Sequence, residues 1–254
     1  MNSTLVDDFL KHDLIHQASV LGVTVDDFKL EPSVSKLDPS SNCILQIVRF
    51  GELSVVVTTP EWKDPVARML QAAPWKEWLD SPPGLHQVLA ALGLQTMDTT
   101  PRPGGPVHNI GLLCGAARFR PYEKHADRIV RIAPDHPLWA DPEAAPKWPF
   151  KYVIVEKGQI IAQAIMKHNL EVLGGRIWAL GVFVKPEHRR RGYGKAVVSA
   201  ATRQVVEGGG LGLWNAWAHN LASLALCQAL GYEKFFWEIC IPSELPADSF
   251  GPAG

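Results

Sequence analysis

"VFVKPEHRRRGYGKAVVSAA", residues 182 to 201, decides how this chain is read. The stretch opens as an apolar β-rich run and halts at Pro186. It then crosses a turn carrying Arg189, Arg190 and Arg191, and resumes with Ala196, Val197, Ala200 and Ala201 at helical spacing. A turn between a strand and a helix N-terminus offers unpaired backbone N–H groups and the positive end of the helix macrodipole, which together favour an anion. Gly192 and Gly194 remove side chains from that turn, so its amides are open to phosphate oxygens. Lys185, the three arginines and Lys195 supply positive charge, with Glu187 the nearby counter-charge. The competing reading is a solvated basic turn.

Working outward, "KYVIVEKGQIIAQAIMKHNLEV" (151–172) alternates as two strands around Lys157-Gly158, and "RIWALGVFV" (176–184) is a third after Gly174-Gly175. The helix predicted from Tyr193 to Val206 closes at Gly208-Gly209-Gly210. "LGLWNAW" (211–217) is a strand, Leu221–Leu230 a helix after Asn220 as N-cap, and "YEKFFWEICI" (232–241) a last strand. The order is β-β-β-α-β-α-β. Upstream, residues 3–21 read as a helix, and "CILQIVRF" with "LSVVVTT" as a hairpin around Gly51-Glu52. Helices are expected from Asp64-Pro65 to Met69 and over "LHQVLAALG" ending at Gly93, with further strands near "IGLLCGAARF" and "RIVRIA". The Pro-rich stretches at 100–106 and 134–149 bracket a candidate junction.

Composition narrows the class. The 254 residues are 46% hydrophobic and carry a formal net charge of -1, enough apolar content for a sizeable core and without the basic excess of a general nucleic-acid binder. No apolar run reaches the roughly 18 residues of a membrane span, and the opening segment is too acidic and polar for a secretory signal, so a cytoplasmic protein is expected. Cys43, Cys114, Cys227 and Cys240 lie far apart with no C-x-x-C spacing; all four are expected as reduced thiols and no metal site is expected.

Arg189-x-x-Gly192-x-Gly194 lacks the Walker spacing and the third glycine of the dinucleotide fingerprint. It resembles the pyrophosphate loop of the GNAT superfamily of acyl-CoA-dependent N-acyltransferases. The stretch 182–201 is similar to that family's splayed strand, loop and helix, and "NLASLALCQALGY" (220–232) resembles its following segment, closest in flavour to the glycine N-acyltransferase-like branch. The resemblance covers about 150–240.

It implies an α/β (α+β) fold, a mostly antiparallel mixed sheet flanked by helices, with a further α/β region ahead of it. The expected domains are 1–134, read either as a separate α/β domain or as a degenerate copy of the same fold, and 150–245, packed together with the acceptor at their junction. The resemblance further implies acetyl-CoA, or another acyl-CoA, as co-substrate. Main-chain groups of Val182 and Val184 would pair with its pantetheine arm, Arg189, Arg190, Arg191, Gly192, Tyr193, Gly194 and Lys195 would hold its pyrophosphate, and Asn220 and Ser223 would lie near the lower pantetheine.

The chemistry needs a neutral amine, a donor for the oxyanion and a departing thiolate. Where relatives carry Glu and Tyr, this chain has Asn215 and Cys227, both departures from the family pattern. His219 is the candidate base, ahead of His168 and Glu171, and Cys227 is either a proton donor to the leaving sulfur or a packing residue. Without a strong base, an α-amine with pKa about 7.7–8.0 suits better than a lysine at about 10.4. The expected partner is therefore a small-molecule amine, with a homodimer also in view and neither nucleic acid nor membrane. Two rival readings are a non-catalytic acyl-CoA-binding module and a nucleic-acid binder using the arginines.

Overall fold

The computed structural model describes residues 3–32, 34–36, 43–94, 105–139, 149–169 and 173–243. In chain order its elements are α1 (Ser3–Leu21), β1 (Val34–Lys36), β2 (Cys43–Phe50), β3 (Leu53–Thr58), α2 (Lys63–Ala72), α3 (Trp75–Asp80), α4 (Gly84–Ala91), β4 (Val107–Cys114) and β5 (Ile129–Ile132). There follow β6 (Phe150–Glu156), β7 (Gln159–Asn169), β8 (Ile177–Val184), α5 (Tyr193–Glu207), β9 (Leu211–Trp217), α6 (Leu221–Ala229) and β10 (Glu233–Pro242). From β6 onward this is the order expected from the sequence. The ten strands of the described residues form mixed, mostly antiparallel pairings, with helices between them.

Two compact units emerge, each built from separated stretches. The first comprises Met1–Leu10, Leu112–Asn215 and Ala222–Glu233; the second comprises Lys11–Gly111, Ala216–Leu221 and Lys234–Gly254. The Pro-rich stretches at 100–106 and 134–149 lie largely outside the described residues.

In the first unit the strands run β9-β8-β7-β6-β5. The β6–β7 hairpin turns at Lys157 (φ +50) and Gly158 (φ +74), two left-handed residues in succession, as a tight primed turn requires. Every second residue of the hairpin and of β8 meets α5: Ile154, Ala162, Ala164, Met166 and Leu180 are buried, as are Ala196, Val197, Ala201 and Val205 on the helix. The small residues of β7 let the helix come close. Thr202 of α5 shares a 2.7 Å hydrogen bond with the Tyr232 hydroxyl, both groups fully or nearly fully buried.

In the second unit the order is β1-β3-β2-β10, and β1 lies parallel to β3. The β2–β3 pair closes on the two residues Gly51 and Glu52, with Phe50 opposite Leu53, as the sequence predicts. Leu45, Ile47 and Val56 share one face of this pair and Val48, Val55 and Val57 the other, and all six are buried, as are Val66, Leu79, Val88 and Leu89 of the helices. Asp80 at the end of α3 receives Trp237 Nε1–H at 2.7 Å and pairs with Arg49 at 3.1 Å and Lys234 at 3.4 Å. Neither α3 nor β1 is anticipated from sequence.

One expectation is overturned here. Cys43 and Cys240 are not free thiols but a disulfide, joining β2 to its antiparallel neighbour β10 across 197 residues of sequence. Only Cys114 and Cys227 are free among the described residues, and both are buried.

Candidate functional site

The register of β8 fixes where its main chain points. Val182 opposes Ala164 and Val184 opposes Ala162, while Lys185 N–H donates to the Ile161 carbonyl at 3.0 Å, one position beyond. In an antiparallel ladder hydrogen-bonded and non-hydrogen-bonded pairs alternate, so residues 183 and 181 bond β7, and 184, 182 and 180 turn their N–H and C=O groups the other way. That other side belongs to β9. The parallel β8–β9 register runs from Ile177–Leu211 to Ala179–Leu213 and ends there among the described residues. The two strands part, and the main chain of Val182 and Val184 is directed into the opening. Arg189 Nε–H already donates to the Val184 carbonyl at 3.2 Å.

Beyond β8 the chain makes a short 3-10 turn at Pro186–His188 and then two left-handed steps, Arg190 at φ +61 and Gly192 at φ +87. The first helical hydrogen bond of α5 is Ala196 N–H to the Gly192 carbonyl at 3.0 Å. Tyr193, Gly194 and Lys195 therefore present main-chain donors with no acceptor in the helix, at the positive end of its dipole. Arg189, Arg190 and Arg191 are exposed around them, and Lys185 is engaged by the Gln159 amide oxygen at 2.6 Å.

The two glycines do different work. A Cβ on Gly192 would lie 2.5 Å from the Tyr122 hydroxyl, in addition to the positive φ. Gly194 has ordinary helical φ, but a Cβ there would meet Val184 Cγ2 at 3.1 Å, Leu226 Cδ1 at 3.4 Å and Val182 Cγ2 at 3.7 Å. Its bareness lets α5 settle onto β8. The sequence reading assigned it to phosphate approach; close helix–strand packing is the part the geometry displays.

Residues that the sequence did not single out surround this loop. Lys195 Nζ sits 5.0 Å from the Tyr122 ring centre, and Tyr122 N–H donates to Ser199 Oγ at 2.8 Å. Arg128 Nη1 donates to the Tyr193 hydroxyl at 2.8 Å, and His125 Nε2–H to the Arg191 carbonyl at 3.0 Å. These contacts span more than sixty residues of chain, and no local pattern announces them.

The remaining expected residues are placed as follows. Ser223 is half-buried and accepts Trp214 Nε1–H at 2.9 Å, while Trp214 also stands edge-on to Tyr232. Cys227 is fully buried, and burial, then Cys114, pushes its thiol above the ordinary range. Asn215 is exposed. His219 and Asn220 are exposed on the stretch Ala216–Leu221 of the second unit, the His219 ring 6.0 Å from Trp217. The side chain of His168 and all of Glu171 lie outside the described residues. Among the described residues no cluster of His, Cys, Asp and Glu could hold a metal ion, and no helix is long and apolar enough to cross a membrane.

Comparison with known proteins places this geometry. The model of the acetyltransferase (GNAT) family matches residues 116–232. No curated protein sequence matches the chain. Among solved structures, a GNAT-family acetyltransferase from Novosphingobium aromaticivorans is 16% identical over 56% of this chain and 68% of its own, with a TM-score of 0.44. A GCN5-related N-acetyltransferase from Kribbella flavida is 16% identical over 89% of this chain and 87% of its own, at TM-score 0.41. A Drosophila protein is 14% identical over 93% of this chain and 89% of its own, at 0.39. With the parted strands, the bare helix N-terminus and the family match falling on the same residues, the stretch 116–232 of this chain is a GNAT acetyltransferase-family domain.

Proposed function

We propose that the chain is an N-acetyltransferase that moves the acetyl group of acetyl-CoA to a small-molecule primary amine, in the manner of the glycine N-acyltransferase-like branch. The observation that carries this reading is the continuity of two main-chain donor sets: the open N–H groups of Val182 and Val184 lead to the open N–H groups of Tyr193, Gly194 and Lys195. An amide-rich arm followed by a diphosphate matches that sequence of donors, the arm pairing with β8 as an added strand would and the diphosphate meeting the helix dipole.

In this proposal the arginines at 189–191 and Lys195 neutralise the diphosphate, and Asn220 and Ser223 contribute near the lower arm. The amine attacks the thioester carbonyl, a main-chain N–H of β8 stabilises the oxyanion, and the C–S bond breaks to release the coenzyme thiolate. His219 takes the amine proton. The burial of Cys227 supports its packing role over proton donation, and a thiolate whose conjugate acid has a pKa near 8.5 departs without an acid. A weakly assisted attack suits an α-amine better than a lysine ε-amine. The purpose-built alternative, a binding module without turnover, keeps the donors and dispenses with His219.

Isothermal titration with coenzyme A tests the reading. Binding is expected for the native chain and its loss for Gly192→Glu, which sets a carboxylate into the anion position; equal binding by both would remove the loop from the account. Thiol release with acetyl-CoA and an amine panel then separates the enzyme from the binding module.

A further inference from the structure

The segment Pro121–Arg128 holds the loop on both sides of Gly192. Before the glycine, the Arg191 carbonyl accepts from His125 Nε2–H at 3.0 Å; after it, the Tyr193 hydroxyl accepts from Arg128 at 2.8 Å. The His125 ring also rests 4.7 Å from the Tyr193 ring. This segment is itself fixed further along α5, by Tyr122 N–H on Ser199 and by the Glu123–Arg203 ion pair. The bond to Arg191 is therefore made from an anchored base.

A planar trans peptide points its C=O and N–H in opposite directions, so whatever holds the Arg191 carbonyl also aims the Gly192 N–H. Gly192 at φ +87 has no Cβ to resist a turn of that plane. A turn would withdraw one donor from the anion position and replace it with a carbonyl oxygen, repelling phosphate. His125 is the group bonded to that carbonyl.

We propose that His125 is a positioning residue for the diphosphate of the acyl carrier: through the Arg191 carbonyl it keeps the Gly192 N–H facing the ligand. The proposal rests on the reading of Arg189–Lys195 as the diphosphate site. His125 itself stands at φ +69, a region that Asn adopts readily, and Gln reaches with its amide to about where Nε2 lies. Substitution therefore separates the backbone from the hydrogen bond.

The experiment measures dissociation constants of coenzyme A, its 3′-dephospho form and pantetheine for the native chain and for His125→Ala, His125→Gln and His125→Asn. His125→Ala is expected to weaken the two diphosphate-bearing ligands about five- to tenfold while leaving pantetheine unchanged, the loss of one hydrogen bond felt only where phosphate is bound. His125→Gln is expected to bind like the native chain and His125→Asn like the alanine variant. Unchanged coenzyme A affinity in His125→Ala, an equal loss for pantetheine, or a glutamine variant as weak as alanine each overturns the positioning role. If the alanine variant does not fold, tight binding by glutamine with weak binding by asparagine supports the role, and equal binding by the two overturns it. Failure of the native chain to bind coenzyme A sinks the diphosphate reading itself, a result distinct from all of these.

Discussion

The Tyr122 hydroxyl stands 2.5 Å from where a side-chain carbon on Gly192 would be. Two independent penalties therefore fall on one substitution. Gly192→Ala must hold a left-handed φ of +87, at about 1–2 kcal/mol, and push the Tyr122 ring off the turn. Denaturant unfolding should show a loss of about that size, and coenzyme A affinity should fall with it. Tyr122→Ala in the same chain should relieve the contact but not the φ, recovering only part of the stability.

Gly194→Ala poses the opposite balance. An alanine inside a helix gains about 1 kcal/mol over glycine by propensity. Here the added methyl would crowd Val184 and Leu226 at 3.1 and 3.4 Å, and overpacking costs about 1–3 kcal/mol. The contact should win, so the melting temperature is expected to drop; a rise would show that α5 shifts outward at little cost.

Three buried acids make the fold sensitive to alkali. Burial raises the Cys114 thiol to about 12, and raises the Cys227 thiol and the Tyr232 hydroxyl as well. Because each pKa is higher folded than unfolded, the stability they confer is complete below the unfolded thiol value of about 8.5 and is lost as pH rises beyond it. Urea midpoints between pH 7 and 11 should fall steadily above that point, and Cys227→Ala should make the fall shallower. A midpoint independent of pH in this window would contradict the burial of these groups.

The cysteines also predict a count. Without reductant, the denatured chain should yield two thiols and, after reduction, four, because Cys43 and Cys240 are joined. Native Cys114 and Cys227 should resist a thiol reagent until the fold opens. Closing a loop of 197 residues lowers the entropy of the unfolded chain by the equivalent of about 5 kcal/mol in the chain-entropy account, so Cys240→Ser should lower thermal stability markedly.

Removing the Tyr232 hydroxyl probes the interior of the first unit. Tyr232→Phe leaves Thr202 buried without its 2.7 Å partner, at a cost of about 1–3 kcal/mol. The double change with Thr202→Val should cost less than the sum of the singles.

What could be read from sequence was whatever local chemistry dictates. The turn at Lys157-Gly158, the stop at Pro186 and the start of α5 at Tyr193 follow from φ preference, a missing N–H and apolar spacing, and the structure has all three. Helix α3 escaped because six residues after Pro74 give no periodic window to recognise. His125, Tyr122 and Arg128 escaped for a deeper reason: each acts on α5 or its preceding turn from 65 to 77 residues away, through single contacts that leave no trace in periodicity. The Cys43–Cys240 link hid likewise, since only the pairing of β2 with β10 makes the two sulfurs neighbours.

The parity of β8 carries one more consequence. Its outward-facing donors belong to the backbone, so an exposed position on it such as Phe183 should accept many β-forming side chains without losing them. Its length is another matter: deleting or inserting a single residue there would rotate every amide half a turn about the strand, handing to the hairpin the groups now free and hiding what the cleft requires. Variation along this edge should be liberal in letter where exposed and strict in count.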